Sequence, residues 1–290
     1  MKGKRKCLGA TDIMIYGVIL LLMLVTIYPM WYVLMASFSD PVKVYQSGGI
    51  LLKPVDIQWE GYKHVFANKE IWSGYFNTIV NTVLATACNV LLTASLAYSL
   101  SKKKLLFRKH LTLFVMFTMF FSGGMIPTYL VMTKLNLLNT RAAVILPGLV
   151  QVFNFIIMRT HFESIPDSLE ESAYLDGGND WQIFWKIAIP LSKSNLAMMV
   201  LFYGVHHWSS WFNEMLYLRD RAMWPLALIT REIIINSSTG LAADSGLMTM
   251  EMADNIKYCT IIVTTLPILV LYPYLQKYFV KGQMTGAVKG

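Results

Sequence analysis

The feature that most constrains this chain is its long runs without charge. No Asp, Glu, Lys or Arg occurs in residues 13–39, and none in residues 77–101. Four more uncharged runs follow, at 111–133, 142–158, 195–213 and 258–274. A bilayer is crossed by a helix of ~20 apolar residues, and in lipid a lone segment must satisfy its backbone internally, as a helix does. Each run is near that length. Only 14% of the chain is charged, where soluble domains hold roughly a quarter. The expected fold class is therefore an all-α membrane protein with about six transmembrane helices.

The flanks give an orientation. Lys2, Lys4, Arg5 and Lys6 precede the first run; Lys102, Lys103, Lys104, Arg108 and Lys109 follow the second. Arg159 and His161 close the fourth, and Lys277, Lys281 and Lys289 follow the sixth. Lys and Arg concentrate on cytoplasmic flanks, so both termini are predicted inside a cell membrane. A cleaved signal peptide would have an apolar core of only ~7–15 residues; the first run is longer and reads as a span, with Pro29 as a kink. Gly123, Gly124 and Pro127 are expected to break the third span. The outer segments are 40–73, with a short helix near 61–67, the turn 134–141, and 215–255. Residues 225–235 read as a helix lying at the interface, followed by a Ser/Thr/Gly-rich loop at 236–250. The sequon Asn236-Ser237-Ser238 is expected to stay unmodified.

Residues 163–193 break the pattern. They hold Glu163, Asp167, Glu170, Glu171, Asp176 and Asp180, out of 17 acidic residues in the chain, so they belong in water between two spans. Ser164 and Asp167 have capping-box spacing and Pro166 suits a first turn. Gly177 and Gly178 are a natural stop. Asn179 or Asp180 can cap a second short helix, which Pro190 is expected to end. On it Trp181, Phe184, Trp185 and Ala188 share a face by the three-and-four rule. The result is a helix-turn-helix foot with an aromatic face.

Several chemistries are excluded. Cys7, Cys88 and Cys259 are scattered and form neither a zinc pattern nor a disulfide framework. There is no P-loop, so the chain is not expected to hydrolyse ATP, and no nucleophile–base pair or HExxH motif marks an enzyme. No catalytic residue, metal or cofactor is expected. The net charge of +8 sits beside spans, which argues against nucleic acid. No Asp, Glu, Lys or Arg lies mid-span, whereas ion-coupled transporters place charges there; an autonomous secondary transporter of a neutral polar solute is the alternative reading. Asn77, Asn81 and Asn89, at helical spacing, read as glue between helices, with a binding site as the other possibility. Around His206 and His207 the fifth run is unusually polar and aromatic. The histidines read as packing beside water. Trp208, Trp211 and Asn213, with Asn154 in the fourth run, could line a path for a hydroxylated solute, because rings stack on sugars and amides bond hydroxyls. A membrane-interface belt would use the same tryptophans.

The foot also carries a resemblance. Glu171-Ser172-Ala173, three residues, Gly177, nine residues, then Ile187-Ala188-Ile189-Pro190 resembles the EAA loop of ATP-binding-cassette importer permeases, with Ser172 for the first Ala and Ile189 for Leu. In that family the loop is a coupling helix docked on a cytoplasmic ATPase. The resemblance thus implies coupling roles for Glu170, Glu171, Ser172, Ala173, Asp176, Gly177, Trp181, Phe184 and Pro190. It implies a cytoplasmic segment 1–12, a permease domain 13–280 containing the loop at 163–193, and a tail at 281–290. The implied partners are a second permease subunit, two copies of an ATP-binding subunit, an extracellular solute-binding protein and the lipid bilayer of a prokaryote. The whole chain is similar to the carbohydrate branch, at Asn81-Thr82-Val83 and 97–101 for example. Residues 123–129, 208–213 and 276–282 resemble a subgroup for complex oligosaccharides, including uronate-containing ones. An oligosaccharide substrate is the implied cargo. In maltose-type relatives the last outer loop reaches into the binding protein, which by position would be about 236–250.

Overall fold

A computed structural model describes residues 10–239 and 250–287. The basic N-terminal residues, Cys7, Lys289 and residues 240–249 of the loop expected at 236–250 lie outside the described residues. The described residues are helical, apart from turns and one isolated antiparallel bridge between Ser39 and Ile57. Three helices are long and apolar enough to cross a membrane, and the number rises to six when each of three sharply bent helix pairs counts as one span. This agrees with the expected all-α membrane fold.

The chain divides into two compact units. The first takes residues up to Asn68 and Thr230–Thr265. Its long helix α1 (Ala10–Ser37) runs through Pro29 and leaves Ile13, Leu20, Leu24 and many other apolar side chains exposed, as a lipid-facing span must. The chain then folds back: the Tyr28 hydroxyl donates to Gly49 O at 2.9 Å and the Trp31 indole to Leu52 O at 3.1 Å. Asp40 caps the short helix α2 (Pro41–Gln46), accepting from the Val42 and Lys43 amides, with Pro41 at the start of the helix. Helix α3 (Glu60–Ala67) lies where the sequence predicts one. A Cβ at Gly61 would lie 2.0 Å from Asn255 Oδ1 and 2.7 Å from Cys259 Sγ. The missing side chain therefore lets α3 touch the last helix. Asn255 itself donates to Ala36 O and Ser39 O, tying three segments with one buried amide.

The second unit takes Lys69–Ile229 and residues from Leu266 onward. Its axis is α4 (Lys69–Ser101), which starts eight positions before the uncharged run and packs on α8 (Val152–Glu163) and α12 (Lys193–Ser209). The chain bends by 114° between helices α5 (Arg108–Phe120) and α6 (Met125–Lys134). The break falls at the expected glycines, where Gly124 has φ +87°, a conformation that costs glycine little. Helix α7 (Arg141–Ile145) leads through a 3₁₀ turn holding Pro147 into α8, with a 52° bend.

The asparagines of α4 join helices, as expected. Asn77 donates to Ala222 O at 2.7 Å and Trp224 O at 3.1 Å. Asn89 donates to Gly148 O at 2.6 Å and lies 3.3 Å from the buried His207 Nε2. Thr93 and Tyr203 share a hydroxyl hydrogen bond of 2.7 Å. Such polar pairs hold helices together where lipid supplies no hydrophobic drive. Beyond α12 come α13 (Phe212–Tyr217), α14 (Leu226–Ser238) and α15 (Met250–Ala287). One expectation is corrected here: the helix expected at 225–235 does not simply lie at an interface. Leu226, Leu228 and Ile229 are buried, and a Cβ at Gly74 of α4 would meet Ile229 at 2.7 Å.

Candidate functional site

The foot is built from α9 (Asp167–Leu175), α10 (Asp180–Ile183), a π-turn (Phe184–Ala188) and α11 (Ile189–Leu191). The motif residues explain the turn between its arms. Gly177 has φ +81°; its amide donates to Tyr174 O at 3.0 Å and the Gly178 amide to Ala173 O at 2.8 Å. This pair of bonds is a Schellman cap, which needs a left-handed residue at Gly177. Gly178 is also fixed, because a Cβ there would meet Ala173 O at 2.8 Å. Ala173 is small enough to tuck against the buried core that contains Ile183 and Phe184. Asn179 then starts α10 with a complete capping box: Gln182 N donates to Asn179 Oδ1 at 2.9 Å and Asn179 N to Gln182 Oε1 at 3.1 Å. The Tyr174 hydroxyl bonds Asp180 across the turn. That acceptor, with some burial and the negative charges of Asp180 and Glu170, pushes the Tyr174 phenol up to about 12.

Three sequence expectations need correction. Pro166 is itself the cap position of α9, and no side chain caps that helix; the Ser164–Asp167 box does not form, and Ser164 instead bonds back to His161 O at 2.7 Å. Pro190 does not end the second arm. It sits in the first turn of α11, where a missing N–H is harmless, and the break comes at Ser192, before an 82° bend into α12. The expected aromatic face is split. The π-turn inserts an extra residue into the helical repeat, so Phe184 and Ala188 are buried while Trp181 and Trp185 are exposed.

The split gives the foot two sides. Its inner side is anchored. Phe184 packs on Tyr98 with ring centroids 5.0 Å apart, and Tyr98 on Phe162 at 5.4 Å. Lys102 lies 3.9 Å from the centre of the Tyr98 ring and is ion-paired with Glu170, whose side chain is only 15% exposed. Lys103 pairs with Asp167 at 3.0 Å, and Glu163 with both Arg108 and Arg159. The two guanidinium groups also donate to Leu100 O, at 2.9 and 3.1 Å, satisfying a carbonyl at the end of α4. The outer side is bare. Leu175 is 90% exposed and Trp181 66%; Glu171, Ser172, Asp176, Gly177 and Pro190 are exposed too. Of the residues named for coupling, Glu170, Ala173 and Phe184 thus hold the foot in place, and the others form its surface.

The residues named for a solute path do not share one wall. Trp208 lines a cavity of about 630 Å³ along α4 and α12, with Thr82, Thr86, Val90, Trp185 and Gly204 among its neighbours. The cavity is mostly apolar; the buried Thr82 and Thr86 hydroxyls have no hydrogen-bond partner among the described residues. Asn154 is buried, 3.3 Å from Gln151 Oε1. Trp211 stands edge-on to Phe212, and Asn213 is half-buried in α13, past the break at Ser210. Sequence reasoning did not place Thr82, Thr86 or Trp185 on a solute path. The first two carry a signal: Thr82, Thr86 and Val90 lie at four-residue spacing, as do Gly204 and Trp208 on the facing helix. Among the described residues no three His, Cys, Asp or Glu side chains could hold a metal ion.

Comparison with known proteins agrees with this architecture. Residues 71–210, which include the foot and all but the first two residues of α4, match the family described as "Binding-protein-dependent transport system inner membrane component". The chain is 40% identical over 281 residues to the polygalacturonan/rhamnogalacturonan transport system permease protein YtcP of Bacillus subtilis (strain 168), covering 96% of this chain and 98% of that one. It is 25% identical to the arabinooligosaccharides transport system permease protein AraQ of Halalkalibacterium halodurans, covering 92% of each. A chain in the crystal structure of a bacterial ABC transporter involved in the import of the acidic polysaccharide alginate superposes with a TM-score of 0.82 at 33% identity, covering 93% of this chain and 98% of that one. With near-complete coverage at such identity, the chain belongs to the family of inner-membrane components of binding-protein-dependent transport systems.

Proposed function

We propose that this chain is one of two permease subunits in an ATP-driven importer of oligosaccharides, and that residues 163–193 couple it to a cytoplasmic ATPase. The observation that carries this reading is the two-sided foot. A loop with a buried aromatic anchor and several ion pairs is held rigid, yet it leaves Leu175, Trp181 and Glu171 uncovered. Exposed apolar side chains on a rigid, acidic projection suit a groove on a partner protein. ATP hydrolysis then resides on that partner, present in two copies, and solute arrives from an extracellular binding protein. In this reading both termini are cytoplasmic, and this chain forms half of the pathway, with Trp208 on its wall and Asn154, Trp211 and Asn213 as further candidates. The substrate class follows the relatives, which are named as oligo- and polysaccharide transporters.

An autonomous secondary transporter is not favoured, because the family is binding-protein-dependent. Reconstitution decides between the two. The tagged chain, expressed with its neighbouring subunits, should co-purify with an ATP-binding subunit and drive ATP-dependent sugar uptake into proteoliposomes. Uptake by this chain alone, driven by an ion gradient, would contradict the proposal.

A further inference from the structure

Among the described residues, one half-buried arginine of the second unit has no ion pair. Arg141, at the start of α7, is half-buried and gives two hydrogen bonds: Nη1 to Asn81 Oδ1 and Nη2 to Asn77 Oδ1, both 2.7 Å. Both acceptors are neutral amides, themselves buried. Asn77 is locked in the orientation that faces its oxygen to Arg141, because its Nδ2 donates to Ala222 O and Trp224 O. A guanidinium has five N–H donors and stays protonated, so three donors and a full positive charge remain.

The carboxylates at this end of the bundle are committed elsewhere. Glu70 is held by Arg221 at 2.6 and 2.8 Å, Asp220 accepts from the Ala222 amide at 2.9 Å, and Glu214 accepts from Ser210 at 2.9 Å. Lys134 and Arg219 are exposed and, like Arg141, have no ion pair among the described residues. Arg219 is held close to the turn before α7, since Asn139 Oδ1 accepts from the Arg219 and Asp220 amides at 3.0 and 2.8 Å. Of these three cations, Arg141 is the one whose guanidinium is fixed in place by two side-chain hydrogen bonds.

We infer that Arg141, held by Asn77 and Asn81, is a recognition residue for a carboxylate of the transported sugar, so that the permease selects oligosaccharides carrying uronate groups over neutral ones. The inference rests on the importer reading. A partly desolvated charge is costly without a counter-ion, and a planar guanidinium meets a carboxylate with two parallel donors, which an ammonium cannot match. A sugar acid entering from the outer side supplies the missing charge. A neutral sugar does not.

The test uses the complete transporter in proteoliposomes, with its binding protein saturated beforehand by each sugar. The probes are tri-galacturonate and its methyl ester, which has the same rings without the charges. The readout is KM for ATP-dependent uptake, per assembled complex, in wild type, R141Q and R141K. R141Q keeps donors for the asparagines but removes the charge. It should raise the ratio of the acid's KM to the ester's by roughly tenfold, the scale of one lost charged hydrogen bond, with R141K intermediate. Equal losses for both sugars would make Arg141 a structural clamp, and an unchanged ratio would remove it from recognition; either result overturns the inference. Wild-type uptake of the ester but not the acid overturns it while leaving the importer standing. Uptake of neither overturns the inference without touching the importer reading, which the reconstitution above decides. If R141Q does not assemble, salt decides on the wild type: the acid's KM should rise with ionic strength more than the ester's, and equal rises overturn the inference.

Discussion

Lys102, one residue past the end of α4, is ion-paired with Glu170 in the first helix of the foot, beneath the face of Tyr98. The two side chains are 29% and 15% exposed, so water screens them less than it screens a surface pair. The contact ties the longest helix of the second unit to the segment that we propose meets the ATPase.

This pair should therefore show a coupling energy. Glu170→Lys and Lys102→Glu each lower stability, and the double charge swap recovers part of the loss. A double-mutant cycle on detergent-solubilised complex should give about 1 kcal/mol, the upper range for a partly exposed pair. A coupling indistinguishable from zero would mean that the aromatic anchor alone holds the foot.

Gly61 tests the packing of the first unit. Gly61→Ala places a methyl where Asn255 and Cys259 already sit, and Asn255 cannot withdraw without giving up bonds to Ala36 and Ser39. The expected loss is about 1–3 kcal/mol, read as a lower melting temperature. Gly17→Ala is the control, since nothing lies within 4 Å of a Cβ there, and it should not destabilise. Equal melting of the two variants would show that α3 and α15 do not pack this closely.

Glu214 gives a pH dependence. It lies past the end of α12, is buried, and burial raises its carboxyl above the ordinary 4.5, against the hydrogen bond from Ser210. A raised folded-state pKa means that the folded protein binds this proton more tightly than the unfolded chain. Its contribution is therefore full below pH 4.5 and is lost as pH rises through the folded value. Glu214→Gln, permanently neutral and of the same shape, should be more stable than wild type at pH 8, and the difference should vanish towards pH 4. A constant difference across that range would refute the burial argument.

Much of this was legible in the sequence, for a physical reason. Charge is excluded from lipid so strongly that the uncharged runs marked the helices, and Gly124 and Gly177 announced two turns because few other residues adopt positive φ. Asn77 and Asn89 were readable as glue because amides in a bilayer must find partners. What stayed hidden depended on three-dimensional neighbours. The π-turn at Phe184–Ala188 has no compositional mark, so the face of Trp181, Phe184, Trp185 and Ala188 looked continuous. Arg141 read as part of an outer turn, since nothing in its local sequence tells that Asn77 and Asn81, far back in the chain, receive its guanidinium.

Trp208 and Trp211 separate a pathway wall from packing. Trp208 lines the cavity along α4 and α12, so Trp208→Ala should slow uptake per assembled complex several-fold while assembly persists. Trp211 touches Phe212 edge-on. If Trp211→Ala changes only the amount of folded complex and not uptake per complex for any sugar tested, Trp211 belongs to the packing and Trp208 alone marks the wall.

The most direct measurement is ATP hydrolysis stimulated by sugar-loaded binding protein, compared between wild-type complex and Gly177→Asp in proteoliposomes. Gly177 has φ +81° and faces open space, so the substitution strains the turn backbone and adds a charge to the foot's bare surface without touching the buried anchor. Coupling through the foot predicts that stimulation collapses and ATPase docking weakens, while the binding protein still binds sugar. Normal stimulated hydrolysis by Gly177→Asp would contradict coupling through residues 163–193.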